Sequence, residues 1–170
     1  MFICTVSPGG PVPIVILRGN EEFLARVPVG FDDDTGAVYS VFAALSPLIG
    51  YADVPGYECV FSIIEASHDE AHMRDCWDGL ETEPLIPDSE HRGHILNLIC
   101  MVVGRLVDAA QPGIVSMTTH SPNLPEKALL KFNQICTVFH EKGYTVWLSD
   151  SYHGRYVWMM ERKGDGTVSA

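Results

Sequence analysis

Residues 57–66 read YECVFSIIEA, a nearly continuous apolar run with β-branched residues. Runs of this kind form strands buried on both faces, which predicts a strand over 58–65. After a polar stretch at 67–87, residues 87–113 read PDSEHRGHILNLICMVVGRLVDAAQPG. Asp88 or Ser89 can cap a helix, acids sit in its first turn, and Gln-Pro-Gly stops it, which predicts a helix over about 89–110. It is apolar nearly all round, so it is expected in the interior against a sheet. GIVSMTTHS (113–121) reads as the next strand. Two parallel strands joined through such a helix make a right-handed unit with the helix on one face.

Upstream, FICTV (2–6), IVILRG (14–19) and EEFLARVPV (21–29) read as strands, the first two parted by the turn signal SPGGPVP. FDDDTG (31–36) supplies an N-cap, and Val38, Phe42, Leu45 and Leu48 stand at helical spacing, which predicts a helix over about 37–49. GYADVPG (50–56) is a break. Downstream, SPNLPEKALLKFNQICTVFHEKG (121–143) reads as a helix with Pro125 near its start and Gly143 at its end. YTVWLSD (144–150), SYHG (151–154) and RYVWMMERK (155–163) form a hairpin, and 164–170 a frayed tail. The predicted order is β-β-β-α-β-loop-α-β-α-β-β. This is an α/β (α+β) chain with a mixed, mostly antiparallel sheet flanked by helices.

With 170 residues the chain is expected to fold as one domain, with residues 1–57 as N-terminal strands and helix and 58–162 as the core. It is 46% hydrophobic and 19% charged, a globular composition. The net charge of −11 repels phosphate backbones, which argues against nucleic acid. It favours a cationic amine, a basic peptide or a basic protein surface, or simply keeps the chain soluble. Five cysteines without CxxC spacing fit reduced thiols in a cytoplasmic protein. No basic-then-apolar leader pattern is present, and the greasy run near 95–110 is broken by Asn97, Gly104, Arg105 and Asp108, which argues against a membrane span.

From residue 58 to about 162 the order resembles the C-terminal part of the GNAT acyltransferase family. There a strand and a helix hold the cofactor, followed by strand, helix and a final strand pair. FHEKGYTV (139–146) is similar to that family's helix ending, commonly YEKLGF before a strand. HRGHILNLI (91–99) lies where the family's pyrophosphate loop opens its helix. The resemblance implies acetyl-CoA or another acyl-CoA as cofactor, with Arg92, Gly93, His94 and Asn123 as the residues that hold it. A helix N-terminus suits a pyrophosphate through its unpaired N–H groups and partial positive charge. The chain departs from the family pattern at Glu90 and Ile95 in the loop, and at Phe139 where a tyrosine acid is usual.

Acyl transfer to an amine needs a base near the thioester carbonyl, directly or through water. Glu65, at the end of the buried strand, and His120, after the strand at 113–119, are the candidates. Tyr152 and Tyr156 near the hairpin are candidates to protonate the leaving thiolate. The plainer readings are a strand-end carboxylate for Glu65, a loop or capping histidine for His120, and sheet-surface aromatics for the tyrosines.

SHDEAHMRDC (67–76) would place His68 and His72 on one helical face, with Cys76 on the same side. Those three ligands would be spread by about 12 Å along a helix axis, too far to share one ion. The zinc-protease motif also needs Glu directly after its first histidine, where Asp69 stands. A metal site is therefore not expected. Three readings follow: an acyl-CoA-dependent N-acyltransferase, a non-catalytic acidic binding or inhibitor protein with Trp77, Trp147 or Trp158 as anchors, and a metal-dependent hydrolase using His68 and His72.

Overall fold

The computed structural model describes residues 1–49, 55–77 and 79–164. The elements are β1 (Phe2–Cys4), β2 (Leu17–Gly19), β3 (Glu22–Asp32), β4 (Val38–Pro47), β5 (Gly56–Ala66), β6 (Met73–Cys76), α1 (Gly79–Thr82), α2 (Ser89–Ala110), β7 (Ile114–Thr118), α3 (Leu130–Glu141), β8 (Tyr144–Leu148) and β9 (Val157–Arg162). A 3₁₀ turn over Glu126–Leu129 leads into α3. The nine strands among the described residues join one sheet in the order β1-β3-β4-β5-β7-β9-β8, with β2 also on β3 and β6 also on β5. Among the described residues, β5 and β7 alone pair in parallel. The fold is α+β, a mixed and mostly antiparallel sheet flanked by helices.

The helix α2 forms because its ends are stopped chemically. The Asp88 carboxylate accepts the Glu90 N–H at 2.8 Å, and Gln111 turns into the left-handed region to close it. Ile95, Leu98, Val102, Val103 and Leu106 are buried in the core with Ala25, Val27, Val41, Ala43 and Leu45 of β3 and β4. Each large aliphatic side chain so buried contributes roughly 1.5–3 kcal/mol. Glu90, Gly93, Asn97, Met101, Arg105 and Asp108 face outward, so α2 keeps one exposed stripe rather than being apolar all round. By length and composition alone α2 could cross a membrane, and eight of its 22 residues are buried in this core.

The helix expected over 37–49 is instead β4. The residues Tyr39, Val41, Ala43 and Leu45 alternate onto the core face, and β4 pairs with β3 on one edge and β5 on the other along nearly its whole length. A central strand is apolar on both faces, so its sequence also satisfies a helical spacing. No helix occurs among the described residues of 1–57. Residues 50–54 of the expected break, and 165–170 of the expected tail, lie outside the described residues. The polar stretch 67–87 also carries more structure than a loop, namely β6 and α1.

At Gly30 a Cβ would clash with the Ile3 carbonyl and the Phe2 ring. Glycine there lets β1 lie against β3 and seats Phe2 edge-on against Tyr39.

Candidate functional site

The two edges of β5 are treated differently. One edge pairs continuously with β4. The other pairs in parallel with β7 only at Gly56–Glu58, and antiparallel with β6 at Ile63–Ala66. Cys59–Ser62 lies between these two pairings, where β5 and β7 part. The opening leads into two adjoining cavities that share Phe61 and Trp77 as walls.

The first cavity, about 180 Å³, is bounded by Phe61 and Ile63 of β5, Cys76 and Trp77, and Ile95, Leu96 and Ile99 of α2. Arg92 and Lys131 border this apolar space. Arg92 donates to the Ile86 and Pro87 carbonyls at 2.8 and 2.7 Å, bracing the segment that enters α2. The Lys131 ammonium lies over the Phe132 ring at 5.2 Å and donates to the Trp77 carbonyl at 3.4 Å. Burial pushes the Cys76 thiol up, against the pull of Arg74.

The second cavity, about 280 Å³, is bounded by Glu58, Phe61, Trp77, Thr118, Thr119, His120, Phe132 and Arg155. Trp77 and His120 stack at its mouth, with centroids 5.2 Å apart and planes 16° from parallel. Phe132 stacks on Trp158 with centroids 5.0 Å apart and fixes the floor. The Arg155 Nε is buried and has no hydrogen-bond partner.

Of the residues singled out in the sequence, His120 lines the second cavity and Arg92 the first. Glu65 lies elsewhere. Its oxygens accept from the Tyr39 hydroxyl at 3.2 Å and from Arg74 at 2.8 Å, across the β5–β6 pairing. Burial, with the Glu65 charge next, pushes the Tyr39 phenol up to about 12. Gly93 and His94 sit one turn inside α2 rather than at its opening, because Asp88 caps the helix at Ser89. A Cβ at Gly93 would meet open space, so no close approach requires glycine there. His94 is 3.9 Å from Glu90. Asn123 takes a positive φ, and its N–H donates to the Gly154 carbonyl at 2.8 Å, so it positions the β8–β9 turn. Tyr152 is exposed in that turn, edge-on to His153. The structure thus brings His120 and Arg92 to the opening and leaves Glu65, Gly93, His94 and Tyr152 outside it.

SHDEAHMRDC is a hairpin, not a helix. The Ser67 N–H donates to the His72 carbonyl at 2.8 Å, Asp69 accepts from the Ser67 hydroxyl at 2.6 Å, and Glu70 takes a positive φ. Asp69 thereby ties off the turn, and its carboxyl is lowered by those bonds. His68 and His72 are exposed at the hairpin's two ends. Among the described residues the acidic cluster that could hold a cation is Asp32, Asp33 and Asp34, and all three face the Met1 ammonium at 2.5–3.3 Å. Of the three tryptophans, Trp158 is buried, Trp147 is exposed on the edge strand β8, and Trp77 is half-buried at the opening.

Sequence reasoning named Trp77 only as a candidate anchor for a partner, and missed Lys131, Phe132 and Arg155. These residues come from three segments, after β6, in α3 and in the β8–β9 turn, and nothing local marks the segments as neighbours. Compared with known proteins, the chain matches no family model, no curated sequence and no solved structure.

Proposed function

We propose that this chain is an acyl-CoA-dependent N-acyltransferase whose thioester reacts in the opening between β5 and β7. The observation that carries this reading is the parting of two parallel strands after three residue pairs, which exposes the backbone of Cys59–Ser62 beside two cavities. Backbone N–H groups on such an edge can hold a thioester carbonyl and the developing oxyanion. The first cavity, apolar with Arg92 and Lys131 at its border, suits an aliphatic arm that ends in phosphate. His120 at the mouth of the second is the base for the attacking amine. The acidic chain draws in cationic amines.

The test is thermal melting with acetyl-CoA well above its dissociation constant. A ligand at about 100 times its dissociation constant adds about 2.7 kcal/mol, which is a shift of several degrees at this size. Leu96→Trp fills the first cavity from a half-buried position on α2 and is expected to remove the shift while leaving the unliganded Tm nearly unchanged. No shift with any acyl-CoA would sink the proposal.

A second reading, a non-catalytic acidic binding protein, is favoured by β6. That strand occupies β5 at Ile63–Ala66, backbone that an extended cofactor arm would otherwise use. Asp88 and Glu90 at the start of α2 also place negative charge where a pyrophosphate would sit. This reading predicts no acyl-CoA binding and capture of a basic partner.

A further inference from the structure

We propose that the second cavity is a receptor for the carboxylate of a small amino-acid-like substrate, and that Arg155 is the residue that reads it. The amine half of this substrate rests on the acyltransferase reading, and the carboxylate half stands without it.

Arg155 is the starting point. A guanidinium carries five donors, and a buried donor left unmade costs free energy. Its Nε is fully buried without a partner, and among the described residues Arg155 joins no ion pair. Arg155 lines the second cavity, where an anion can pair with the guanidinium donors other than the enclosed Nε.

The backbone that carries Arg155 is held in advance. Tyr152 and Arg155 exchange two backbone hydrogen bonds, at 3.0 and 2.9 Å. His153 and Gly154 between them both take positive φ, the geometry of a tight two-residue hairpin loop. A Cβ on Gly154 would collide with the Asn123 side chain, so Asn123 and Gly154 lock the turn from outside. The backbone therefore needs no ordering on binding.

The class of anion follows from charge and shape. The two Nη groups of a guanidinium form a planar fork that matches a carboxylate's two oxygens. Glu58 in the same cavity opposes a multiply charged anion such as phosphate there. A carboxylate accompanied by its own ammonium brings no net charge and escapes that penalty. Glu58 lines the same cavity and offers the negative charge an ammonium needs. The aromatic walls Trp77 and Phe132 suit a compact apolar side chain, and the cavity volume of about 280 Å³ limits the ligand to a small molecule.

The experiment is thermal melting with each of the twenty L-amino acids at millimolar concentration, beside the corresponding α-carboxamide. At least one amino acid is expected to raise Tm by several degrees while its amide does not. Arg155→Gln is expected to abolish the shift. Arg155→Lys, which keeps the charge but loses the fork, is expected to weaken binding at least tenfold by calorimetric titration while retaining a wild-type melt without ligand. Equal shifts for acid and amide, no shift with any amino acid, or an undiminished shift in Arg155→Gln would overturn the assignment. Acetyl-CoA binding is measured separately. Binding of acetyl-CoA with turnover of carboxylate-free amines alone would leave the acyltransferase standing and remove this inference. A carboxylate-dependent shift without acyl-CoA binding would do the reverse.

Discussion

Trp77 and His120 lie face to face across the mouth of the β5–β7 opening, 5.2 Å between centroids. The first follows β6 and the second follows β7, so the stack ties the segment inserted after β5 to the far side of the cleft. If His120 is the base, His120→Ala is expected to lower turnover of an amine by about 10²–10⁴-fold with acetyl-CoA affinity retained. Loss of affinity and turnover in parallel would assign His120 to holding the roof instead.

On the acyltransferase proposal, an extended cofactor arm would compete with β6 for the same edge of β5. Its pairing covers four residues, Ile63–Ala66 with Met73–Cys76. Short peripheral strands open at low free energy. Addition of acetyl-CoA is expected to speed hydrogen exchange of the 73–76 amides and to leave the β4–β5 amides protected. Added protection of 73–76 would mean that the ligand seats beneath an intact strand.

Stability at high pH draws on several buried acids, of which Tyr39 and Cys59 reach the highest values. Burial first, and the nearby Glu65 charge second, raise the Tyr39 phenol from 10.0 to about 12. Burial chiefly raises the Cys59 thiol from 9.0 to about 12. A group whose folded value is raised contributes fully below its unfolded value, and that contribution is lost as pH rises through the folded value. The Tm is therefore expected to fall between pH 9 and 12. Cys59→Ala and Tyr39→Phe should each flatten that fall, and an unchanged slope in both would refute the assignment.

At the other end of the scale, Asp88 caps α2 and its carboxyl is lowered, first by the Glu90 N–H. The sign is opposite here. The contribution is present above the unfolded value of 3.8 and disappears as pH falls through the lower folded value. Asp88→Ala is expected to lower Tm at neutral pH by a few degrees, and Asp88→Asn by less, because asparagine also caps. The difference between wild type and Asp88→Ala should shrink in acid melts. A constant difference down to strongly acidic pH would show that the cap does not act through its charge.

Deleting the floor of the second cavity gives a check on packing alone. Phe132 is buried between Phe61 at 5.4 Å and Trp158 at 5.0 Å. Phe132→Ala is expected to cost about 3–5 kcal/mol by denaturant unfolding. A cost below about 1 kcal/mol would mean that the aromatic cluster collapses into the space, by the same size dependence on residual cavity.

Much of the second half was legible because its signals are local. Asp88 and the Gln-Pro-Gly stop bound α2, β-branched runs mark β5 and β7, and Gly143 ends α3 before β8. The site was less legible. His120 could be singled out by its place after a strand, whereas Glu65 fitted the same rule and proved to be bound to Arg74 and Tyr39. Which strand-end group faces a cleft depends on the partner of that strand edge.

Local chain chemistry was enough for capped helices, turn residues and buried runs, since each rests on hydrogen bonds and side-chain periods within a few residues. It could not choose strand over helix for residues 38–47, because a segment buried on both faces carries no single period. Nor could it bring Trp77, His120, Phe132 and Arg155 around one cavity. That meeting follows from β5 dividing one edge between β6 and β7, a long-range pairing whose energy lies in contacts between segments far apart along the chain.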